Sequence, residues 1–335
     1  MRLALLRAMR DFRRMADLLF DHGSVAMSVF TKSLGIGMVA LAHGLIGFVT
    51  YTYLALAWPL MQAPGDDLGR AAIAAPGIFF ITNALYNYWK TICSDPGTPP
   101  LCADAEADAA KQEEEAAELL KDPQDGDVLK RPKHQTSAEQ PKYKECRKCG
   151  RQKPPRTHHC SICRRCVLKM DHHCPWVCNC VGHGNYRHFC LFMLFLMLSC
   201  LFIIVVFFHN FPELIFHVRR GRKLPGTRSA RSCILMSFMI CVSIVIALCI
   251  LGGFHTYLVL TNQTTIEFQS NMMKRREARR NAEFFRNPYD LGRTRNFHAV
   301  FGPNRFTRCR WLFPLLALPP TGDGFDFPSL RARAP

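Results

Sequence analysis

Apolar residues in this chain neither recur at a helical period nor alternate. They gather into four runs of about twenty or more residues with almost no charge, at 34–58, 71–92, 189–208 and 233–260. A helix of roughly 20 apolar residues crosses a hydrocarbon core about 30 Å thick. The pattern therefore predicts a polytopic α-helical membrane protein with four transmembrane helices. The first run carries His43 and no charge. The second is interrupted by Pro76, Asn83 and Asn87, and Lys90 near its end can reach the headgroups. The third is unbroken, and the fourth is long enough that it must tilt or extend past the bilayer. Ahead of the first run, Arg7, Arg10, Arg13 and Arg14 exclude the apolar core of a signal peptide and suggest a short basic amphipathic helix on the membrane surface.

Charge orients the runs. The 335 residues carry a net charge of +17, too scattered for a nucleic-acid groove, so nucleic acid is excluded as a partner in favour of a lipid bilayer. Four spans place both ends on one side. Residues 1–33, 90–188 and 261–335 hold 36 of the 43 Lys and Arg residues, against one in the first intervening loop and six in the loop 209–232. The positive-inside rule makes the termini and the middle cytosolic. Arg219, Arg220, Arg222 and Lys223 oppose that assignment, and nothing in the sequence accounts for them. Within the middle, residues 93–142 read as an acidic linker with a short solvated helix around 104–121, and residues 143–188 hold the chemistry.

Eight of the sixteen cysteines fall within residues 146–180. Three C-x-x-C pairs occur, Cys146/Cys149, Cys160/Cys163 and Cys163/Cys166, with His158, His159, His172, His173 and Cys180 between and after them. Thiolate and imidazole at such spacings make tetrahedral zinc sites, and the segment has too few large apolar residues to fold without metal. Two closed sites need eight ligands, and more are present. If Cys146, Cys149, Cys160, Cys163, Cys166 and Cys180 serve with two histidines, Cys174 and Cys178 are spare. Cys174 stands directly after Asp171, His172 and His173, and a thiol beside an imidazole and a carboxylate follows the logic of an activated nucleophile. Cys178 has no such company.

The Asp-His-His-Cys run at 171–174, followed by Pro175-Trp176, Asn179-Cys180-Val181-Gly182 and Asn185, resembles the DHHC family of protein S-acyltransferases. Asp95-Pro96-Gly97, Thr264-Thr265-Ile266-Glu267 and the stretch from Asn296 to Gly302 resemble further motifs of that family. The resemblance covers the four runs, the middle and the tail to about residue 302. Cys178 departs from it, since members often carry Asn there; the linker and the last thirty residues match none of its motifs.

That resemblance implies a protein S-palmitoyltransferase with a zinc-bound cysteine-rich domain in the cytosolic loop, in the endoplasmic reticulum or Golgi. One structural zinc would use Cys146, Cys149, His159 and Cys166, the other Cys160, Cys163, His173 and Cys180. His172 would be the base and Asp171 would orient it. Cys174 would take a long chain from an acyl-CoA such as palmitoyl-CoA and pass it to membrane-proximal cysteines of protein substrates. A palmitoyl chain is worth about 0.8 kcal/mol per buried CH₂, which explains a catalyst held at the membrane edge. Arg156, Arg164, Arg165 and Lys169 are candidates to meet the CoA phosphates. Thr265 and Glu267 would support the site, with Thr265 against Asp171, and Asn296 would dock the tail. His158 reads as a hydrogen-bond partner beside a ligand, and His255 as a headgroup-level residue. A membrane-anchored zinc adaptor would use the same ligands but gives no reason for a free Cys174, and a channel would need charged or broken helices at the midplane.

Overall fold

The computed structural model describes residues 2–61, 67–102, 143–211, 228–302 and 322–330, with Leu214, Val218–Arg219 and Arg222–Lys223; the linker helix expected around 104–121 lies outside them. Helix α1 (Arg2–Tyr51) joins the basic N-terminal stretch and the first apolar run without a break. No proline interrupts it, and at 1.5 Å per residue its 50 residues measure about 75 Å. It continues as a π-helical turn over Thr52–Ala57 and ends in Trp58–Met61. Pro59 has no N–H to give the carbonyl four residues back, and the ladder changes register just before it.

Helix α2 (Asp67–Cys93) contains Pro76. Tyr186–His209 forms α3 and Arg228–Leu260 forms α4. Among the described residues, three helical stretches are long and apolar enough to cross a membrane: Val25–Ala57, Tyr186–His209 and Arg228–Leu260. Helix α2 is not among them, but it packs along α3 more extensively than any other pair of elements meets. Gly77 makes part of that contact possible, because a Cβ there would lie 2.6 Å from the Phe202 ring. Tyr53, Ala57, Ile203, Phe207, Ile234 and Cys241 form one apolar core between α1, α3 and α4. A second, around Tyr88, Phe189, Phe192 and Met193, reaches up to Cys174.

The cysteine-rich segment folds as three short antiparallel hairpins: β1 (Lys144–Glu145) with β2 (Gln152–Lys153), β3 (His158–Cys160) with β4 (Arg165–Val167), and β5 (His172–Cys174) with β6 (Asn179–Val181). Lys144 faces Lys153, His158 faces Val167 and His172 faces Val181, so one register recurs every 14 residues. Each turn carries a left-handed residue at the same offset: Gly150 (φ 64°), Arg164 (φ 55°) and Cys178 (φ 48°). Asn tolerates that conformation better than most side chains, which gives a physical reason for the Asn that resembling proteins carry where this chain has Cys178.

The third hairpin is tied to α2 by buried amides. A helix leaves its last four carbonyls unpaired, and Asn179 Nδ2 donates to the carbonyls of Thr91, Ile92 and Ser94 at 3.0–3.2 Å. Asn185 Nδ2 donates to those of Thr91 (3.2 Å) and Cys180 (2.9 Å), and its Oδ1 accepts from Gly182 N (2.9 Å). Gly184 lies so close to the Asp95 carbonyl that no side chain fits there. After α4 come α5 (Thr265–Arg280) and α6 (Arg293–Phe301). Residues 322–330 return to the cysteine-rich segment: Gly322 O meets His183 Nε2 at 3.2 Å, and Tyr143 donates to Asp326 Oδ1 at 2.9 Å.

Asn185→Ala strands buried partners on both elements, at about 1–3 kcal/mol for each unsatisfied group. The variant should melt several degrees below wild type in thermal unfolding of the detergent-solubilised protein.

Candidate functional site

The 14-residue recurrence decides what each cysteine can do. The tip of the first hairpin carries Cys146 and Cys149, and the second hairpin contributes the cross-strand pair His159 and Cys166. The tip of the second carries Cys160 and Cys163, and the third contributes His173 and Cys180. Both sets could hold a metal ion. Cys146 Sγ lies 3.7 Å from His159 Nδ1, and Cys149 Sγ lies 3.7 Å from Cys166 Sγ. In the other set, His173 Nδ1 lies 3.9, 3.4 and 3.6 Å from the sulfurs of Cys160, Cys163 and Cys180. A tetrahedral zinc with Zn–S of about 2.3 Å and Zn–N of about 2.0–2.1 Å has edges of this length, so both sets fit the ion.

Cys174 occupies in the third hairpin the position of Cys146 and Cys160 in the others. Val177 stands where Cys149 and Cys163 stand, and the chain then enters α3, so no fourth hairpin supplies a histidine and a cysteine. The thiol is thus left out of both metal sets. It is buried among Tyr88, Val177, Val181, Phe189, Phe192 and Met193, at the top of the helical core.

Beside it, His172 Nδ1 lies 2.7 Å from Asp171 Oδ2. Asp171 is 2% exposed and also accepts from Thr265 N (2.9 Å) and Thr265 Oγ1 (2.7 Å). Burial alone would raise its pKa, but the hydrogen bond and charge of His172, the nearby His255 and Thr265 hold it below the ordinary carboxylate range. For His172, burial works downward; hydrogen bonds to Asp171 and Cys174 outweigh it and bring the pKa to about 9. With Nδ1 engaged by Asp171, the ring's other nitrogen is the one left for the thiol.

Thr265 is held in turn. Thr264 caps α5 in a capping box, its Oγ1 accepting from Glu267 N (3.2 Å) while Glu267 Oε2 accepts from Thr264 N (2.9 Å). The Arg156 Nε and Nη2 each donate to Glu267 at 2.6 Å, and the guanidinium also donates to Asn262 and lies over the rings of Tyr289 and Phe327. Asn296 Nδ2 donates to Leu260 O (2.8 Å) and Asp290 Oδ1 (2.7 Å), fastening α6 to the end of α4.

Several expectations change. Arg156 is buried and fully engaged, so it does not present itself to a CoA phosphate. Lys169 lies near Phe327 (5.8 Å), and burial together with the Arg156 charge pushes its pKa down to about 7. Arg164 is exposed, and Arg165 pairs with Asp95 at 3.5 Å. His255 is 3% exposed, with its ring 5.8 Å from His172 and its Nδ1 3.1 Å from the Tyr186 hydroxyl. Cys178 Sγ contacts the Lys32 carbonyl (3.6 Å) and packs against Gly35 of α1. His158 is in neither metal set, and burial pushes its pKa down. The sequence reading did not single out Tyr186, or Tyr88, whose hydroxyl donates to Trp176 O at 2.6 Å. The 14-residue recurrence was the available signal for the free thiol.

A family model described as DHHC palmitoyltransferase matches residues 139–272. The chain is 31% identical over 84% of its length to probable protein S-acyltransferase 16 of Arabidopsis thaliana, covering 88% of that protein. It is 34% identical over 85% of its length to palmitoyltransferase ZDHHC15 of Xenopus laevis, covering 80% of it. With palmitoyltransferase ZDHHC20-A of Danio rerio it shares 36% identity over 73% of its length, covering 64% of that relative.

Proposed function

Because this chain belongs to the DHHC family and is a protein S-palmitoyltransferase, we propose that Cys174 is its nucleophile, His172 the base and Asp171 the group that orients the base. The observation that carries this reading is the position of Cys174: of the two thiols of the third hairpin outside both metal sets, Cys178 packs against α1, and Cys174 lies next to an imidazole held by a buried carboxylate.

His172 takes the thiol proton, and the Cys174 sulfur attacks the carbonyl carbon of the acyl-CoA thioester. The bond to the CoA sulfur breaks, and CoA leaves as a thiol with the proton returned by His172. A substrate cysteine then repeats the exchange on the acyl-enzyme, again giving its proton to His172, and Cys174 is regenerated. Asp171 keeps the ring in the required tautomer and offsets the imidazolium charge. Each exchange replaces one thioester with another, so placement of the chain matters more than driving force. Cys174 shares its apolar cluster with Leu196, which also lines a cavity of about 90 Å³ with Leu45, Val49, Tyr53, Ser199 and Ile203. The acyl chain would follow that path between the helices.

Two zinc ions, held by Cys146, Cys149, His159 and Cys166 and by Cys160, Cys163, His173 and Cys180, would be closed structural sites that fix the hairpins and leave no open position for chemistry. In this reading α2 is the fourth span, the termini and the cysteine-rich domain are cytosolic, and the enzyme works in the endoplasmic reticulum or Golgi. The excess of Lys and Arg on the cytosolic segments supports the orientation, and the packing of α2 on α3 supports the fourth span. His255 and Tyr186 hold the far side of the Asp171–His172 pair from within α4 and α3.

His172→Ala and His173→Ala separate base from ligand. His172→Ala should keep about two zinc ions and its melting temperature while loading acyl chain about 10²–10⁴-fold more slowly. His173→Ala should lose about one zinc, stability and loading together. Zinc analysis, melting and single-turnover loading on both variants check this; zinc loss from His172→Ala alone would exchange the roles. Separately, Cys174→Ser should retain zinc and fold but form no hydroxylamine-labile acyl-enzyme, and full labelling of that variant would move the nucleophile elsewhere.

A further inference from the structure

Arg187, the second residue of α3, is only 7% exposed, and its Nε and Nη1 are buried without a hydrogen-bond partner. None of the ion pairs among the described residues includes it. A buried guanidinium without acceptors is among the most costly groups a protein interior can hold. Its placement adds to the imbalance. The first turn of a helix already presents unpaired N–H groups and a partial positive charge, and a cation there is the wrong sign.

The neighbours are cationic too. Lys90 of α2 lies with its ammonium 5.8 Å from the Tyr86 ring, and that ring meets His188 edge-on at 6.3 Å. The charges of Arg187 and Lys90 both reach His188, whose Nδ1 is already taken by Asn87 Oδ1 at 2.9 Å. Arg187 and Lys90 are thus two cations whose charges meet at His188, and none of the ion pairs among the described residues joins either to a carboxylate. Trp89, next to Lys90 in the chain, is 52% exposed, as expected of an aromatic ring at a membrane–water edge. The guanidinium nitrogens on offer suit a phosphate, which accepts paired N–H donors from arginine, with lysine as a second point charge.

We propose that Arg187 and Lys90 form a phosphate-binding site where α2 and α3 meet at the cytosolic edge of the membrane. This rests on the membrane orientation given under the proposed function. The phosphate has two possible sources of the same chemistry: the headgroup of an anionic phospholipid, or coenzyme A. The site would anchor the start of α3, three residues from Cys190 and two from Phe189, which packs against His172.

The test uses the full-length, delipidated protein in detergent, with thermal unfolding read in phosphatidic acid micelles, in matched diacylglycerol micelles, and with coenzyme A. Wild type should gain on the order of 3 °C from one phosphate ligand over its control. Arg187→Gln and Lys90→Gln should each lose most of that gain. A gain confined to phosphatidic acid assigns the site to lipid, and one confined to coenzyme A assigns it to the donor. Should Arg187→Gln fail to fold, Lys90→Gln carries the test alone, because Lys90 is exposed. Equal gains in wild type and Lys90→Gln, or no gain with either ligand, overturn the proposal. Loading of Cys174 in the same samples reads the catalytic proposal separately: wild type that gains stability from phosphate but never loads leaves the site standing and removes the nucleophile assignment.

Discussion

A tetrahedral metal site needs four ligands, and each hairpin of this protein carries at most two at its tip and two across its strands. The hairpins therefore close their sites by sharing, each tip completed by the strands of the hairpin that follows. Such an array has two ends. At the first, Glu145 and Gln152 occupy the strand positions that hold histidine and cysteine further on, and nothing is left over. At the second, the tip has no successor, and its two cysteines stay outside both sets, Cys178 against the Lys32 carbonyl of α1 and Cys174 beside His172. An array whose other tips are completed as sets that could hold metal thus ends on a tip that cannot be completed in that way. On the proposed reading, the reactive group is the last tip of the array.

The free thiol then needs a fixed direction and a dry place for its product. The direction comes from a chain of buried polar contacts outside the hairpins. Arg156 holds Glu267, Glu267 completes the cap on α5, the first residue of α5 holds Asp171, and Asp171 holds His172. Every member has its partner in the protein, which is the condition for a buried network to rigidify rather than destabilise. The dry place comes from docking: Asn179 and Asn185 cap α2, the third hairpin is drawn onto the helix ends, and Cys174 faces Phe189, Phe192 and Met193. The tail residues 322–330 close the opposite side, with Phe327 lying over Arg156.

Much of this was legible in the sequence, for reasons that differ by element. Apolar runs report spans well when they are pure, as at 189–208, and poorly when polar residues satisfy themselves inside a helix. Asn83, Asn87 and Thr91 donate to carbonyls four residues back, so they dilute the apolar signal of α2 while the helix continues through them. The continuity of α1 was missed because arginines exclude a signal peptide but do not break a helix. Ligand sets were suggested by family resemblance, since spacing alone does not sort six thiols and two imidazoles into two sites; the register of the hairpins supplies the pairing geometry. Arg156 was misjudged because its partners, Glu267 and Asn262, lie more than a hundred residues away. The contacts of His255 were illegible for the same reason: its position in the fourth run says nothing about the hairpin folded back onto it.

The central claim, that ligand sharing leaves Cys174 outside the metal sets and beside a base, is tested most directly by cysteine footprinting. The zinc-loaded protein would be pulsed with a small alkylating reagent at neutral pH, with and without palmitoyl-CoA, and the label mapped by mass spectrometry before and after chelation. The account predicts rapid labelling at Cys174, protected by palmitoyl-CoA, with Cys146, Cys149, Cys160, Cys163, Cys166 and Cys180 labelled only once metal is removed. Slow labelling of Cys174 that rises on chelation together with those six would place it in a metal site and contradict the account.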